Sequence, residues 1–148
     1  MTAPYVMAAG FALRDDAGRL LLIHQTYGDK VWDFVGGGAE AGESPEETAI
    51  REAREEIGLT VAPRGLIGVY FNRPRRILLF IFNGVITGGT LALQAEEIAE
   101  IGWFGPDDLP LLNAWKARQV ADVFEWTGEA FCAPANNPSL AFTTFPAH

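Results

Sequence analysis

Apolar positions along this chain fall into short runs separated by turn residues, with only two stretches of helical spacing. Val6 to Arg14 and Leu20 to Gln25 are apolar and partly β-branched. Asp15-Asp16-Ala17-Gly18 between them is turn chemistry, so the pair is predicted to form a hairpin. Trp32 to Val35 reads as a short strand running into Gly36-Gly37-Gly38. Ser44-Pro45-Glu46-Glu47 then announces a helix: Ser44 suits the N-cap, Pro45 the first helical position, and Glu47 completes a capping box. Gly58 is the expected stop, since glycine takes the left-handed conformation that closes a last turn. Leu66 to Phe71, Ile77 to Ile86 and Ile98 to Phe104 are predicted strands, the first two joined by Asn72-Arg73-Pro74-Arg75. Pro106 to Leu112 reads as a short helical turn and Ala114 to Glu125 as a longer helix. Strands, helix, strands, helix in that order predict an α/β layered domain with a mixed sheet.

The 148 residues, 49% of them hydrophobic and 20% charged, suit one domain spanning 1–148, with a segment at 127–148 that shows no clear period. No repeat or linker divides the chain. The longest apolar run, Ile77 to Phe82, is six residues, far short of the roughly 20 a bilayer needs. No basic residue precedes the apolar stretch Val6 to Leu13, which therefore reads as a first strand and not a secretory signal. The single cysteine, Cys132, and the two histidines, His24 and His148, offer neither an intrachain disulfide nor a structural zinc site, which points to a reducing, cytoplasmic setting.

Net charge is −8, which disfavours a nucleic-acid polymer or an acidic membrane as partner. The acid is clustered: Glu40, Glu43, Glu46, Glu47, Glu52, Glu55 and Glu56 form one group, and Glu96, Glu97, Glu100, Asp107 and Asp108 a second, with Arg73, Arg75 and Arg76 between them. Carboxylates for a hard cation and guanidinium groups for phosphate make a plausible pair of half-sites. On a helical wheel Ala49, Ile50, Ala53 and Ile57 share one arc, and Glu52, Glu55 and Glu56 the neighbouring one. Arg51 has i,i±4 partners in Glu47 and Glu55, as on any surface helix. Glu52 and Glu56 also stand at i,i+4, where like charges repel unless a cation lies between them.

Gly37, five residues, Glu43, seven residues, then Arg51-Glu52-Ala53-Arg54-Glu55-Glu56-Ile57-Gly58-Leu59 matches the Nudix box at every fixed position. On these residues the chain resembles a Nudix hydrolase, MutT-like in type, and the resemblance implies a Nudix-type α/β/α sandwich. It implies that Glu52, Glu55 and Glu56 hold a divalent metal, magnesium with manganese as substitute, and that Arg51 orients Glu43 or Glu52. It also implies that a turn at Gly36 to Gly38 brings backbone carbonyl oxygen, that of Gly36, near the metal. The expected reaction is Mg-dependent hydrolysis of a nucleoside diphosphate linked to another group, by water attack on phosphorus. The family most often has proline where this chain has Val35; the ligand positions are untouched.

The base that activates water is expected to be Glu52 of the box helix or, outside the box, Glu97, which precedes Trp103 by six residues and is a candidate base or metal residue with Glu96 and Glu100 as rivals. Trp32-Asp33-Phe34 resembles the Trp-Glu-Phe of MutT-like nucleoside triphosphate hydrolases. Asp107-Asp108-Leu109-Pro110 followed by Asn113 resembles their segment that supplies a base-reading asparagine, although Asn before a helix also serves as a cap. Trp32, Phe34 and Asn113 are thus candidate substrate contacts. Arg73, Arg75 and Arg76 either grip phosphate or solvate their turn. Pro74 stands near a proline of ADP-ribose hydrolases, or is simply a turn proline. His24 is expected to pack or hydrogen-bond on its strand. The expected partner is a small nucleotide; a homodimer is compatible. ADP-ribose or a nucleotide sugar is the alternative substrate, and a non-catalytic nucleotide-sensing module the alternative of another class.

Overall fold

The computed structural model describes residues 4–26 and 31–132. The elements in order are β1 (Val6–Leu13), β2 (Leu20–Gln25), β3 (Trp32–Asp33), β4 (Val35–Gly38), α1 (Pro45–Ile57), β5 (Leu59–Asn72), β6 (Ile77–Gly89), β7 (Ile98–Phe104), α2 (Ala114–Glu125) and β8 (Phe131–Cys132). Five strands form a mixed sheet in the order β4-β1-β6-β5-β8, and three form a second, β3-β2-β7. In the first, β1 runs parallel to β6 and antiparallel to β4.

Alternation along β1 and β2 sorts the core into two layers. Phe11, Leu13, Leu21 and Ile23 pack with Ala49, Ala53 and Ile57 of α1. Their neighbours Ala12, Leu20 and Leu22 pack with Val120 and Val123 of α2. Both faces are covered, which is why these strands read as continuous apolar runs, and the result is the expected α/β/α sandwich with a mixed sheet.

The predicted hairpin is not formed. The Asp15–Gly18 turn is present, with Gly18 N–H donating to Asp15 O at 2.9 Å, but only an Arg14–Leu20 bridge joins the two arms. β1 has both edges taken by β4 and β6, so β2 leaves the turn for the other sheet. The Trp32–Val35 strand likewise divides at Phe34, its halves pairing with different sheets. Gly36 to Gly38 is not a turn but the body of β4, antiparallel to β1. The glycines serve close approach: a Cβ on Gly36 would lie 2.5 Å from Ala9 O, and one on Gly10 2.5 Å from Val35 O.

β5 begins at Leu59, earlier than the predicted Leu66, because register shifts on either side of Leu66 absorb Pro63 and Gly65. Pro106 to Leu112 is not helical beyond one turn at Gly105–Asp108. Pro106 and Pro110 lack N–H donors, and Leu109 before proline is steered away from helical geometry. Within the segment from 127, β8 pairs parallel to β5 at Gly68 and Val69. Its remainder, 133–148 with His148, lies outside the described residues. Among the described residues no helix is long and apolar enough to cross a membrane.

Candidate active site

α1 starts and stops as its sequence dictates. Ser44 accepts from Glu47 N, the Glu47 side chain accepts from Ser44 N, and Gly58 closes the helix at φ 74°. Ala49, Ala53 and Ile57 are fully buried, which fixes the helix rotation. That rotation brings Glu56 onto the buried side, 4% exposed, with Glu52 half-buried and Glu55 exposed.

Arg51 ties the cluster together. Its Nε and Nη2 donate to the two oxygens of Glu43 at 2.7 and 3.0 Å, its Nη1 donates to Glu52 and Glu55 at 3.0 Å each, and Nη2 also reaches Gly38 O at 2.9 Å. Both alternatives for its partner, Glu43 and Glu52, are therefore met at once. The Arg51–Glu47 pair does not form, because the Glu47 carboxylate is held in the capping box. Hydrogen bonds from Arg51 and the Glu40 backbone hold the Glu43 carboxyl down to about 2.

Glu56 accepts from Gly36 N–H at 2.7 Å. Burial outweighs that bond, and with the nearby charges of Glu52, Asp33 and Glu97 it pushes the Glu56 carboxyl up to about 9. Burial also raises Glu52, with Arg51 opposing and Glu55 and Glu97 reinforcing. Glu52 lies on the Cα of Gly37, where a Cβ would fall 2.6 Å from its carboxyl carbon.

Glu97 is exposed and sits in the turn before β7. The preceding loop hangs from the end of α1, Gln94 N–H donating to Glu56 O at 3.0 Å and Glu97 N–H to Gln94 O at 3.0 Å. That tether places the Glu97 charge within reach of Glu52 and Glu56. Of its rivals, Glu100 is engaged elsewhere, its carboxylate meeting His24 Nδ1 at 3.2 Å, whereas Glu96 is exposed and accepts from Thr26 Oγ1 through its backbone oxygen.

Among the described residues no three His, Cys, Asp or Glu side chains form a ready-made metal cage; Arg51 and Gly36 N–H engage the box carboxylates instead. The donor set nevertheless fits a hard divalent cation. It is all oxygen and strongly acidic, and burial together with the neighbouring carboxylates disfavours ionisation of its most buried member, Glu56.

A cleft of about 160 Å³ adjoins the cluster, its wall including Gly36 and Gly37 beside Asp33, Phe34, Trp115 and Lys116. Phe34 lines it, almost wholly buried. Trp32 is half-buried, stacked on His24 at 4.6 Å and edge-on to Phe104. Asn113 caps α2, its side-chain oxygen accepting from Lys116 N at 2.8 Å, and it is not among the cleft residues. Arg73, Arg75 and Arg76 form the exposed β5–β6 turn with Pro74, next to Ile77, which lines the cleft.

Sequence reasoning passed over Lys116. It is 5% exposed, with Nζ 2.6 Å from Asp33 Oδ1 and 2.8 Å from Gln119 Oε1. The signal was available: Lys116, Gln119, Val120 and Val123 share the i, i+3, i+4, i+7 stripe that buries α2, and a lysine there breaks the apolar pattern.

The acidic helix and the cleft share one wall, at Gly36 and Gly37, in an α/β/α sandwich. The NUDIX domain family matches residues 4–126, and the chain belongs to it; it is a Nudix hydrolase. Over 119 residues, 80% of the chain, it is 35% identical to a candidate 8-oxo-dGTP diphosphatase of Bacillus subtilis (strain 168), covering 79% of that protein. It is 36% identical to a MutT-like protein of Streptomyces ambofaciens over the same length, covering 71% of it. An NAD-capped RNA hydrolase, NudC, of Pseudomonas entomophila (strain L48) is 33% identical over 96 residues, 64% of this chain and 35% of that one. The crystal structure of a UDP-X diphosphatase shares the fold with a TM-score of 0.75 at 22% identity, covering 88% of this chain and 68% of that one.

Proposed function

We propose that this enzyme, acting as a single domain in the cytoplasm, hydrolyses the diphosphate linkage of a small nucleoside triphosphate or a similar nucleoside diphosphate derivative. The observation that carries the reading is the shared wall at Gly36 and Gly37. Gly36 N–H holds Glu56 and the Gly37 Cα seats Glu52, while the same two residues line the cleft. A diphosphate can lie against the acidic helix while its nucleoside occupies the cleft.

Magnesium, with manganese as substitute, would be held by Glu52, Glu55 and Glu56 and would supply charge neutralisation of the diphosphate and a more acidic water. The chain's own groups do the rest. Arg51 keeps Glu43, Glu52 and Glu55 in register. Phe34 and Trp115 exclude water from the nucleoside. The attacking water forms its bond to phosphorus as the bridging P–O bond breaks, and its proton goes to a carboxylate of the cluster, Glu52 or Glu97. Arg73, Arg75 and Arg76 stand at the cleft's edge as candidate phosphate contacts. The name of the Bacillus relative supports a purine nucleoside triphosphate, and the charge of −8 favours a free nucleotide over a polymer.

The test is release of nucleoside monophosphate from a panel of nucleoside triphosphates, ADP-ribose and nucleotide sugars, with magnesium and with chelator. Magnesium-dependent turnover highest on a nucleoside triphosphate is expected. Higher kcat/KM on ADP-ribose would overturn the substrate, and no turnover of any member would overturn the reaction.

A further inference from the structure

Lys116 is an unusual group to bury for stability alone, beside a partner, Asp33, whose side chain is 31% exposed. Taking an ammonium out of water is costly, and a well-packed apolar side chain in its place is often neutral or better. Here the lysine is almost wholly buried yet lines the cleft, as Asp33 does. Its ammonium lies 5.1 Å from the centre of the Phe34 ring and 5.0 Å from that of Trp115, pinned between two aromatic walls. Gln119, fully buried one helical turn on, accepts from Nζ and so fixes its direction.

An ammonium has three donors, and two point at Asp33 Oδ1 and Gln119 Oε1. A carboxylate has about four acceptor sites, and Asp33 Oδ1 already receives Lys116 Nζ and Phe34 N–H, the latter at 2.7 Å. What remains for a ligand is one donor beside two acceptor sites on Oδ2. The complementary edge carries one acceptor next to two donors. Among the nucleobases, the Watson–Crick edge of guanine is that pattern: a C6 carbonyl, then N1–H, then the 2-amino group. Hypoxanthine lacks the amino donor, and adenine presents a donor where guanine has its carbonyl.

We propose that the Asp33–Lys116 pair is the specificity-determining element of the cleft and selects a purine with the guanine-type edge, Lys116 donating to the C6 carbonyl and Asp33 accepting from N1–H and the 2-amino group. The proposal rests on the reading of the cleft as a nucleoside site. It assigns base selection to β3 and α2, and not to Asn113, whose side-chain oxygen caps the helix.

Binding of product monophosphates to the full chain tests it without turnover, by titration calorimetry with GMP, IMP and AMP. GMP is expected to bind about tenfold more tightly than IMP, one hydrogen bond to a charged group being involved, and at least about 30-fold more tightly than AMP. Asp33→Asn should weaken GMP about tenfold while changing AMP less than about threefold. Lys116→Met should narrow the GMP-to-AMP ratio in the same way. The double variant Asp33→Asn/Lys116→Met removes the charge that the single lysine change would leave unpaired, and keeps the test decisive if that single variant fails to fold. AMP binding as tightly as GMP, no binding of any monophosphate, or equal losses for all three in folded variants would each overturn the proposal. GMP-selective binding by a chain that turns over no nucleotide would sustain it and overturn the hydrolytic reading instead.

Discussion

Arg51 and Glu43, eight residues apart, meet in a two-pronged ion pair at 2.7 and 3.0 Å that spans the loop between β4 and α1. Because the same guanidinium reaches Glu52, Glu55 and Gly38 O, it sets the spacing of the box carboxylates against the glycine strand. Partners that orient ligating groups typically contribute 10–100-fold to activity. Arg51→Gln should therefore lower kcat by about 10- to 100-fold with the circular-dichroism spectrum unchanged, and Glu43→Gln should do the same. Steady-state kinetics at saturating magnesium checks this, and unchanged kcat in both would remove Arg51 from the site.

Gly37 gives a sharper steric prediction. A methyl group there would fall 2.6 to 2.8 Å from the Glu52 carboxyl, which must then move. Gly37→Ala should keep the fold while lowering kcat at least about tenfold, as misplacing a reactive group by an ångström commonly does. A thermal melt and a rate measurement on the same sample separate the two effects.

Glu56 makes the stability of the cation-free protein depend on pH. Its folded value of about 9 lies above the ordinary 4.5. Between those values the native state holds a proton that the unfolded chain has released, so stability falls as pH rises through that window. The melting temperature in chelator should drop from pH 5 to pH 9, and Glu56→Gln should flatten that dependence. Glu43 works in the opposite sense at the acid end: its depressed value of about 2 gives stability that is present above 4.5 and lost as pH falls toward 2. A pH-independent melting temperature in both ranges would contradict these assignments.

Helix α1 was legible because its signals are local. Ser44, Pro45, Glu47 and Gly58 act within a turn of themselves, and the apolar arc of Ala49, Ala53 and Ile57 follows from a fixed period. What escaped depends on partners distant in sequence. Whether β1 pairs with β2 is decided by β4 and β6 taking its edges, and whether Gly36 to Gly38 turns or extends is decided by the close backbone of Ala9 and Gly10. Asn113 had two local readings, and the structure shows the cap. Lys116 acquires meaning only from Asp33, 83 positions earlier in the chain by their numbering, and from the rings around it.

The acidic loop before β7 can be ordered by mutation. Glu52 is seated on Gly37 and bonded to Arg51, so Glu52→Gln should disturb both the cation and the water. Glu97→Gln removes a nearby charge and leaves the helix intact. Glu52→Gln should cost about 100-fold or more in kcat, Glu97→Gln less, and Glu100→Gln least, since Glu100 is occupied with His24. A larger loss at Glu97 would make it the base, and a larger loss at Glu100 would move the site.

The central claim is that the carboxylates of α1 carry a cation-dependent hydrolysis of a nucleoside triphosphate. The most direct measurement is monophosphate release from GTP across a magnesium titration, for the unaltered enzyme and for Glu56→Gln. Activity that rises with magnesium, vanishes in chelator and falls at least about 100-fold in the folded variant is the predicted result. Turnover that is indifferent to magnesium, or a Glu56→Gln variant as active as the parent at limiting magnesium, would contradict it.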